Sequence, residues 1–313
     1  MSGSKACLAA AIFLAAHALA GCSSVPDKSG EAAYEKPVVV VSIPPLEYFV
    51  DRIGGDKVMV ECLAPASADP ETFEPSMAQL KTASRAQLMM TVGLLPFERK
   101  VSDAISASNH EISIIGLTDS IPLIEGTHDH GHEGHSHDHE ASYDPHVWTS
   151  LRNARVMARN TSHALSKSFP AYSVYFSKRL ALLDRHLDSL DREITGRLAP
   201  LKGKSFLVWH PSLSYFARDY GLTQLAVGNE HKEASITGLK ERLDKIREAR
   251  PLVFFYQREY DSRQAETISE ATGLTPVVIT PLSPDIEEAV KKAADAMTST
   301  STTSFPANRQ PEK

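Results

Sequence analysis

The stretch Val38–Gly55, "VVVVSIPPLEYFVDRIGG", contains the alternation from which we infer the fold. It begins with a continuous β-branched run, which is typical of a strand buried on both faces of a parallel sheet. Apolar residues then recur at helical spacing from Leu46 to Ile53, and two glycines end the predicted helix. A strand that leads directly into a helix is the repeating unit of α/β proteins.

The same alternation continues along most of the chain. It predicts an N-terminal α/β lobe over residues 37–168 and a C-terminal α/β lobe over residues 200–297. Residues 169–199 between them are assigned to a linking segment dominated by one long helix, and residues 298–313 to a disordered tail. We therefore predict an α/β protein with two mainly parallel sheets, although periodicity does not determine the order of their strands.

The N-terminus has the features of a bacterial lipoprotein signal. Lys5 precedes a short apolar run, Ala6–Ala20, which is too short to span a bilayer, and "LAGC" ends at Cys22. This pattern predicts removal of residues 1–21, lipidation of Cys22 and a flexible tether over residues 22–36. The protein is then expected outside the cytoplasm, anchored to a bacterial membrane or cell surface. The alternative is a plain secretory signal that contains a cysteine.

Charge and cysteine content exclude several classes of protein. A net charge of -6 over 313 residues argues against nucleic acid as a partner. Without Cys7 and Cys22, only Cys62 is left, so no intramolecular disulfide is expected. Cys62 lies in an apolar run, and we interpret it as a buried, inert thiol rather than as a metal ligand.

A histidine-rich run, "HDHGHEGHSHDHE", occupies residues 128–140. Imidazoles interspersed with carboxylates suit zinc above other metals, whereas the absence of apolar residues predicts a solvated loop without one preferred shape. We therefore predict an auxiliary metal loop that binds several ions weakly. Its histidines are His128, His130, His132, His135, His137 and His139.

Three proline-stiffened motifs lie at the ends of predicted strands or in the loops that follow them. They are "DPETFEP", "DPHVW" and "WHPS", and in open α/β sheets that edge is where ligands bind. Each histidine, taken alone, is also compatible with a hydrogen-bonded core residue. The candidate metal ligands in these motifs are Glu71, His146 and His210.

The same motifs, in this order, resemble the metal-binding lipoproteins of bacterial ABC importers for zinc and manganese, the cluster A-I or ZnuA-like solute-binding proteins. "PETFEPSMAQL", "DPHVWTS" and "HPSLSYFARDYGL" are similar to the three ligand loops of that family, and the resemblance covers residues 37–297. It implies two Rossmann-like lobes joined by a rigid helix, with the metal in the cleft between them. It also implies a monomer without enzymatic activity, which passes its metal to an ABC permease and its ATPase.

Two positions depart from the family pattern. Glu71 stands where most members have histidine, and Thr280 stands where many have aspartate. Two imidazoles and one carboxylate favour Zn²⁺ over Mn²⁺, which prefers more oxygen ligands. The fourth ligand stays open at this stage, between water, Asp285, Glu230 and His231.

Two other functions are compatible with the same ligands. A metal-dependent surface adhesin or zinc buffer would bind zinc without transporting it, and an adjacent permease gene would argue against this alternative. A zinc hydrolase also holds its metal with two histidines and a glutamate beside an open position. The sequence contains no "HExxH" motif, which makes the hydrolase the weaker alternative.

Overall fold

The computed structural model describes residues 36–126, 143–227, 236–257 and 262–302. The predicted signal peptide, Cys22 and the tether up to Glu35 lie outside the described residues. The same holds for the auxiliary metal loop and for two of the fourth-ligand candidates, Glu230 and His231.

The N-terminal lobe is a four-stranded, wholly parallel sheet with helices between its strands. The strand order is β2–β1–β3–β4, and every neighbouring pair is parallel. Its strands are β1 (Val38–Val41), β2 (Met59–Cys62), β3 (Leu88–Thr91) and β4 (Ser113–Gly116). Its helices are α1 (Pro44–Gly54), α2 (Met77–Ala83), α3 (Pro96–Ser108) and α4 (Leu151–Ser168).

The C-terminal lobe repeats this plan, with the strand order β6–β5–β7–β8 and parallel pairing throughout. Its strands are β5 (Ser205–Val208), β6 (Thr223–Ala226), β7 (Phe254–Gln257) and β8 (Pro276–Ile279). Its helices are α6 (Ser214–Tyr220), α7 (Ile236–Ala249), α8 (Ser262–Thr272) and α9 (Ile286–Thr302). The prediction of two parallel α/β lobes is confirmed.

The strand order creates a crevice in each sheet. The chain leaves β5 toward β6 on one side and later returns to β7 on the other, so the loops after β5 and β7 diverge. Ligands of open α/β sheets bind at the carboxyl ends of the strands beside such a reversal. His210 follows β5, and Gln257 is the last residue of β7.

The linking helix α5 (Ser173–Leu198) has 26 residues and is about 39 Å long. Within the predicted linking segment of residues 169–199, Pro170–Tyr172 form a separate 3-10 turn before α5. Its buried face includes Leu183, Leu187 and Ile194, and it packs against α1 and α4 of the N-terminal lobe and against α9 of the C-terminal lobe. The helix therefore contributes to the core of both lobes.

The helices agree with the sequence pattern at two N-termini, and they differ from it in one additional helix and in the end of another. Ser76 and Ser150 cap α2 and α4 through hydrogen bonds with the backbone, in line with the preference for serine immediately before a helix. Helix α3 was not among the predicted elements, although its Phe97, Val101 and Ile105 recur at helical spacing. Helix α9 continues to Thr302 and so includes the first residues of the predicted disordered tail.

The hydroxyl groups of the extended part of α9 bond to the helix backbone. Thr298, Ser299 and Thr300 each donate a side-chain hydrogen bond to the carbonyl four residues earlier, which satisfies polar groups within the last turns. None of the helices in the described ranges combines the length and apolar character needed to cross a lipid bilayer.

Candidate metal centre

Glu71, His146 and His210 converge on one point between the two lobes. Nε2 of His210 lies 3.2 Å from Nε2 of His146 and 3.4 Å from Oε1 of Glu71. The remaining distance, from His146 Nε2 to Glu71 Oε1, is 3.8 Å. In a tetrahedral zinc site with bonds of about 2.0–2.2 Å, neighbouring ligand atoms lie about 3.3–3.6 Å apart. The three atoms therefore have nearly the spacing of zinc ligands.

The Glu71 side chain is directed inward by the turn that carries it. The Asp69 carboxylate accepts hydrogen bonds from the backbone N–H of Glu71, at 3.0 Å, and from the Thr72 hydroxyl, at 3.2 Å. The Glu71 side chain is only 8% exposed, whereas that of Glu74 in the same loop is 83% exposed. A surface loop therefore contributes one buried carboxylate to the cluster.

His146 is oriented by Asp144. The Asp144 carboxylate accepts from the backbone N–H of His146 and lies 2.9 Å from its Nδ1. Nδ1 therefore carries the proton, and Nε2 presents its lone pair to the cluster. Burial raises the pKa of Asp144, but the hydrogen bonds with His146 and Ser214 outweigh it, so the pKa lies below the ordinary value. Asp144 thus stays ionised and keeps the imidazole in the ligand tautomer.

Contacts across the cleft connect the histidine loops of the two lobes. The Tyr215 hydroxyl of α6 donates to the backbone carbonyl of Asp144 at 2.8 Å and accepts from the backbone N–H of Ile124 at 3.1 Å. The Trp148 indole donates to the carbonyl of Pro281 at 2.9 Å. The hydrogen bond from Tyr215 to Asp144 and the one from Trp148 to Pro281 are both buried. They couple the position of His146 to the C-terminal lobe.

Sequence reasoning missed one residue of this region, Gln257. It lines a small cavity of about 20 Å³ together with Asp69, Pro70, His146, His210, Pro281 and Leu282. The residue is 8% exposed, its amide nitrogen donates to the Ser212 hydroxyl at 3.1 Å, and its amide oxygen is buried without a hydrogen-bond partner. The only signal in the sequence was its position at the end of a predicted strand, since glutamine is not among the usual zinc ligands.

The structure does not bring the candidate fourth ligand Asp285 to the cluster. Asp285 is exposed, and its carboxylate accepts from the backbone N–H groups of Glu287 and Glu288 at the start of α9. Among the described residues, the group that combines suitable metal ligands contains Glu71, His146 and His210 only. Cys62 lies outside it, and burial raises the pKa of its thiol to about 12.

Comparison with known sequences identifies similar proteins over most of the chain. The model of the family described as zinc-uptake complex component A, periplasmic (ZnuA), matches residues 39–303. The zinc-binding lipoprotein AdcA of Streptococcus pneumoniae is 28% identical over 283 residues, which cover 87% of this chain and 54% of that protein. The zinc-binding protein AdcA of Streptococcus pyogenes is 29% identical, and the match covers 84% of this chain and 54% of that protein. The chain thus spans about half the length of these relatives.

Solved structures with the same fold match over nearly their whole length. The crystal structure of ZnuA is 29% identical, with a TM-score of 0.76, and the match covers 85% of this chain and 99% of that chain. A deletion mutant of ZnuA with zinc bound is 30% identical, with a TM-score of 0.75 and coverage of 87% and 99%.

Proposed function

Because the chain belongs to the family of periplasmic zinc-uptake component A proteins, we propose that it binds zinc outside the cytoplasm and delivers it to an ABC importer. The observation that carries this proposal is the convergence of two imidazole nitrogens and one carboxylate oxygen in the cleft. The zinc-binding relatives and the zinc-bound ZnuA structure support zinc as the cargo.

The proposed ligands are Glu71, His146 and His210. Two nitrogen donors and a single carboxylate suit zinc better than manganese, which prefers oxygen ligands. The distances of 3.2 and 3.4 Å to His210 Nε2 fall near those between ligands of tetrahedral zinc. The Asp144–His146 hydrogen bond supplies the outer support that metal-binding histidines need.

Delivery follows from the division of the site between two lobes. Glu71 and His146 belong to the N-terminal lobe and His210 to the C-terminal lobe, so binding stabilises one relative arrangement of the lobes. We propose that a membrane permease with its ATPase recognises this loaded arrangement. Lipidation of Cys22 would keep the protein, as a monomer, at the outer side of the membrane.

A surface adhesin or zinc buffer would use the same ligands without a permease. Family membership favours transport over this alternative and over a zinc hydrolase. Deletion of the gene is expected to lower uptake of radioactive zinc in zinc-depleted medium. Expression of the wild-type chain should restore uptake, and expression of a His146→Ala, His210→Ala double variant should not. Uptake that is unchanged by the deletion would favour the buffer or the adhesin.

The auxiliary metal loop is expected to contribute only weak sites. Deleting residues 128–139 should leave one tight zinc site and remove several weak ones, because a loop of glycines and solvated side chains does not hold a single coordination geometry. Calorimetric titration of the chain without residues 1–22 measures both classes of site. A loop of equal length with serine in place of each histidine is the matched control for chain length. Loss of the tight site in both variants would assign it to the loop instead.

A further inference from the structure

We propose that the side-chain amide oxygen of Gln257 is the fourth ligand of the metal bound by Glu71, His146 and His210. This inference rests on the proposed function and extends it to the position that the sequence left open. Gln257 lines the same small cavity as the two histidines and is more than nine-tenths buried.

The paired strands β5 and β7 bring Gln257 and the histidine that follows β5 to the same edge of the sheet. On the paired strands β5 and β7, Val208 lies opposite Phe255. His210 lies two residues after Val208 and Gln257 two residues after Phe255, so both residues stand where the paired strands end, and both line the same cavity. Side chains two residues apart along a strand point to the same side of the sheet. The carboxyl ends of these two strands also flank the crevice of the C-terminal sheet.

The amide oxygen of Gln257 lacks the partner that a buried acceptor requires. Leaving a buried polar atom unsatisfied costs about 1–3 kcal/mol, so such an atom in a native protein calls for a physical explanation. The amide nitrogen donates to the Ser212 hydroxyl at 3.1 Å, which fixes the orientation of the group and leaves the oxygen as its free end. A cation in the adjoining cavity would supply the missing interaction.

Two other carboxylates hold local backbone structure instead: Asp69, which lines the cavity, and Asp285, which does not. The two carboxylate oxygens of Asp69 accept from the Glu71 backbone and the Thr72 hydroxyl. Asp285 accepts from the first turn of α9. The cavity of about 20 Å³ has room for about one water-sized particle, which is enough for a single ion beside Gln257. These facts favour direct coordination by Gln257.

The test combines zinc affinity with direct observation of the ligand. Gln257→Leu removes the oxygen at similar size, and we expect its Kd for zinc to rise about 10- to 100-fold. Thr161→Val is the matched control, because Thr161 also carries a buried oxygen without a partner but does not line the cavity. Its Kd should stay within about twofold of the wild type.

A crystal structure of the zinc-loaded wild-type chain provides the second readout. An oxygen of Gln257 at about 2.0–2.2 Å from zinc would support the proposal. A water or another side chain in that position would overturn it, as would an unchanged Kd for Gln257→Leu beside a wild type that binds tightly. A wild-type chain that binds no zinc would instead overturn the proposed function. If the leucine variant does not fold, the structure of the wild type decides.

Discussion

Replacing His146 or His210 with alanine is expected to weaken zinc binding by roughly 100- to 1,000-fold. Structural zinc sites with four ligands contribute about 10–16 kcal/mol, so each ligand accounts for about 2.5–4 kcal/mol. Truncation of His146 also leaves the buried Asp144 carboxylate without its imidazole partner. A competition titration with a chromophoric zinc chelator measures the zinc affinity, and we expect it to show the loss of affinity in both variants.

His163→Ala is the control for a general effect of losing a histidine. His163 lies on the exposed face of α4, outside the cluster, and its replacement should leave the Kd unchanged. A nearly unchanged Kd in either cluster variant would contradict the assignment of that ligand. Equal losses in all three variants would indicate that the tight site depends on something other than the cluster.

Glu287 is the second residue for which we expect a large effect, in this case on stability. It is a buried carboxylate near the start of α9, where the C-terminal lobe meets the N-terminal lobe and the linking helix. It accepts from the Tyr48 hydroxyl of α1 at 2.6 Å and from Lys291 at 2.8 Å, and it lies 3.0 Å from His186 Nε2 of α5. One carboxylate therefore connects three helices.

The free energy of unfolding at pH 7 is expected to fall by about 3 kcal/mol in Glu287→Gln. Burial raises the pKa of Glu287, but the hydrogen bonds from Lys291, Tyr48 and His186 outweigh it and lower the pKa from 4.5 to about 2. The pKa of Glu287 is lower in the folded state than in the unfolded state. The ionised carboxylate therefore contributes its full share of the free energy of unfolding above pH 4.5. This contribution is lost as the pH falls from 4.5 toward 2.

Urea unfolding of the wild type and of Glu287→Gln at pH 7 and near pH 3 measures this dependence. The difference between the two proteins should be large at pH 7 and should shrink at the lower pH. Glu288→Gln removes an exposed carboxylate from the same helical turn and should change stability by less than about 0.5 kcal/mol. A constant difference across this pH range would show that the carboxylate charge is not the cause.

Local sequence patterns predicted most of the fold because they depend on near neighbours. Continuous β-branched runs correspond to strands that are buried in the structure, as for Val39–Val41, and Ser76 and Ser150 follow the preference for serine immediately before a helix. Helix α3 was missed although its apolar spacing is helical, and the turn that leads into it is held by a contact that this spacing does not display. Its Glu98 is 3% exposed and accepts from the backbone N–H groups of Val92, Gly93, Leu94 and Leu95.

The sequence by itself determined the kind of chemistry in this protein: two histidines and a glutamate in proline-stiffened turns, each after a predicted strand. Residue type and local turn geometry are properties of short segments, so they can be read without a structure. Only the tertiary structure decided which groups meet. Strand order and lobe packing bring Glu71, His146 and His210 together, leave Asp285 at a helix start, and place Gln257 at the cavity that His146 and His210 line. These are contacts between distant segments, and no local pattern encodes them.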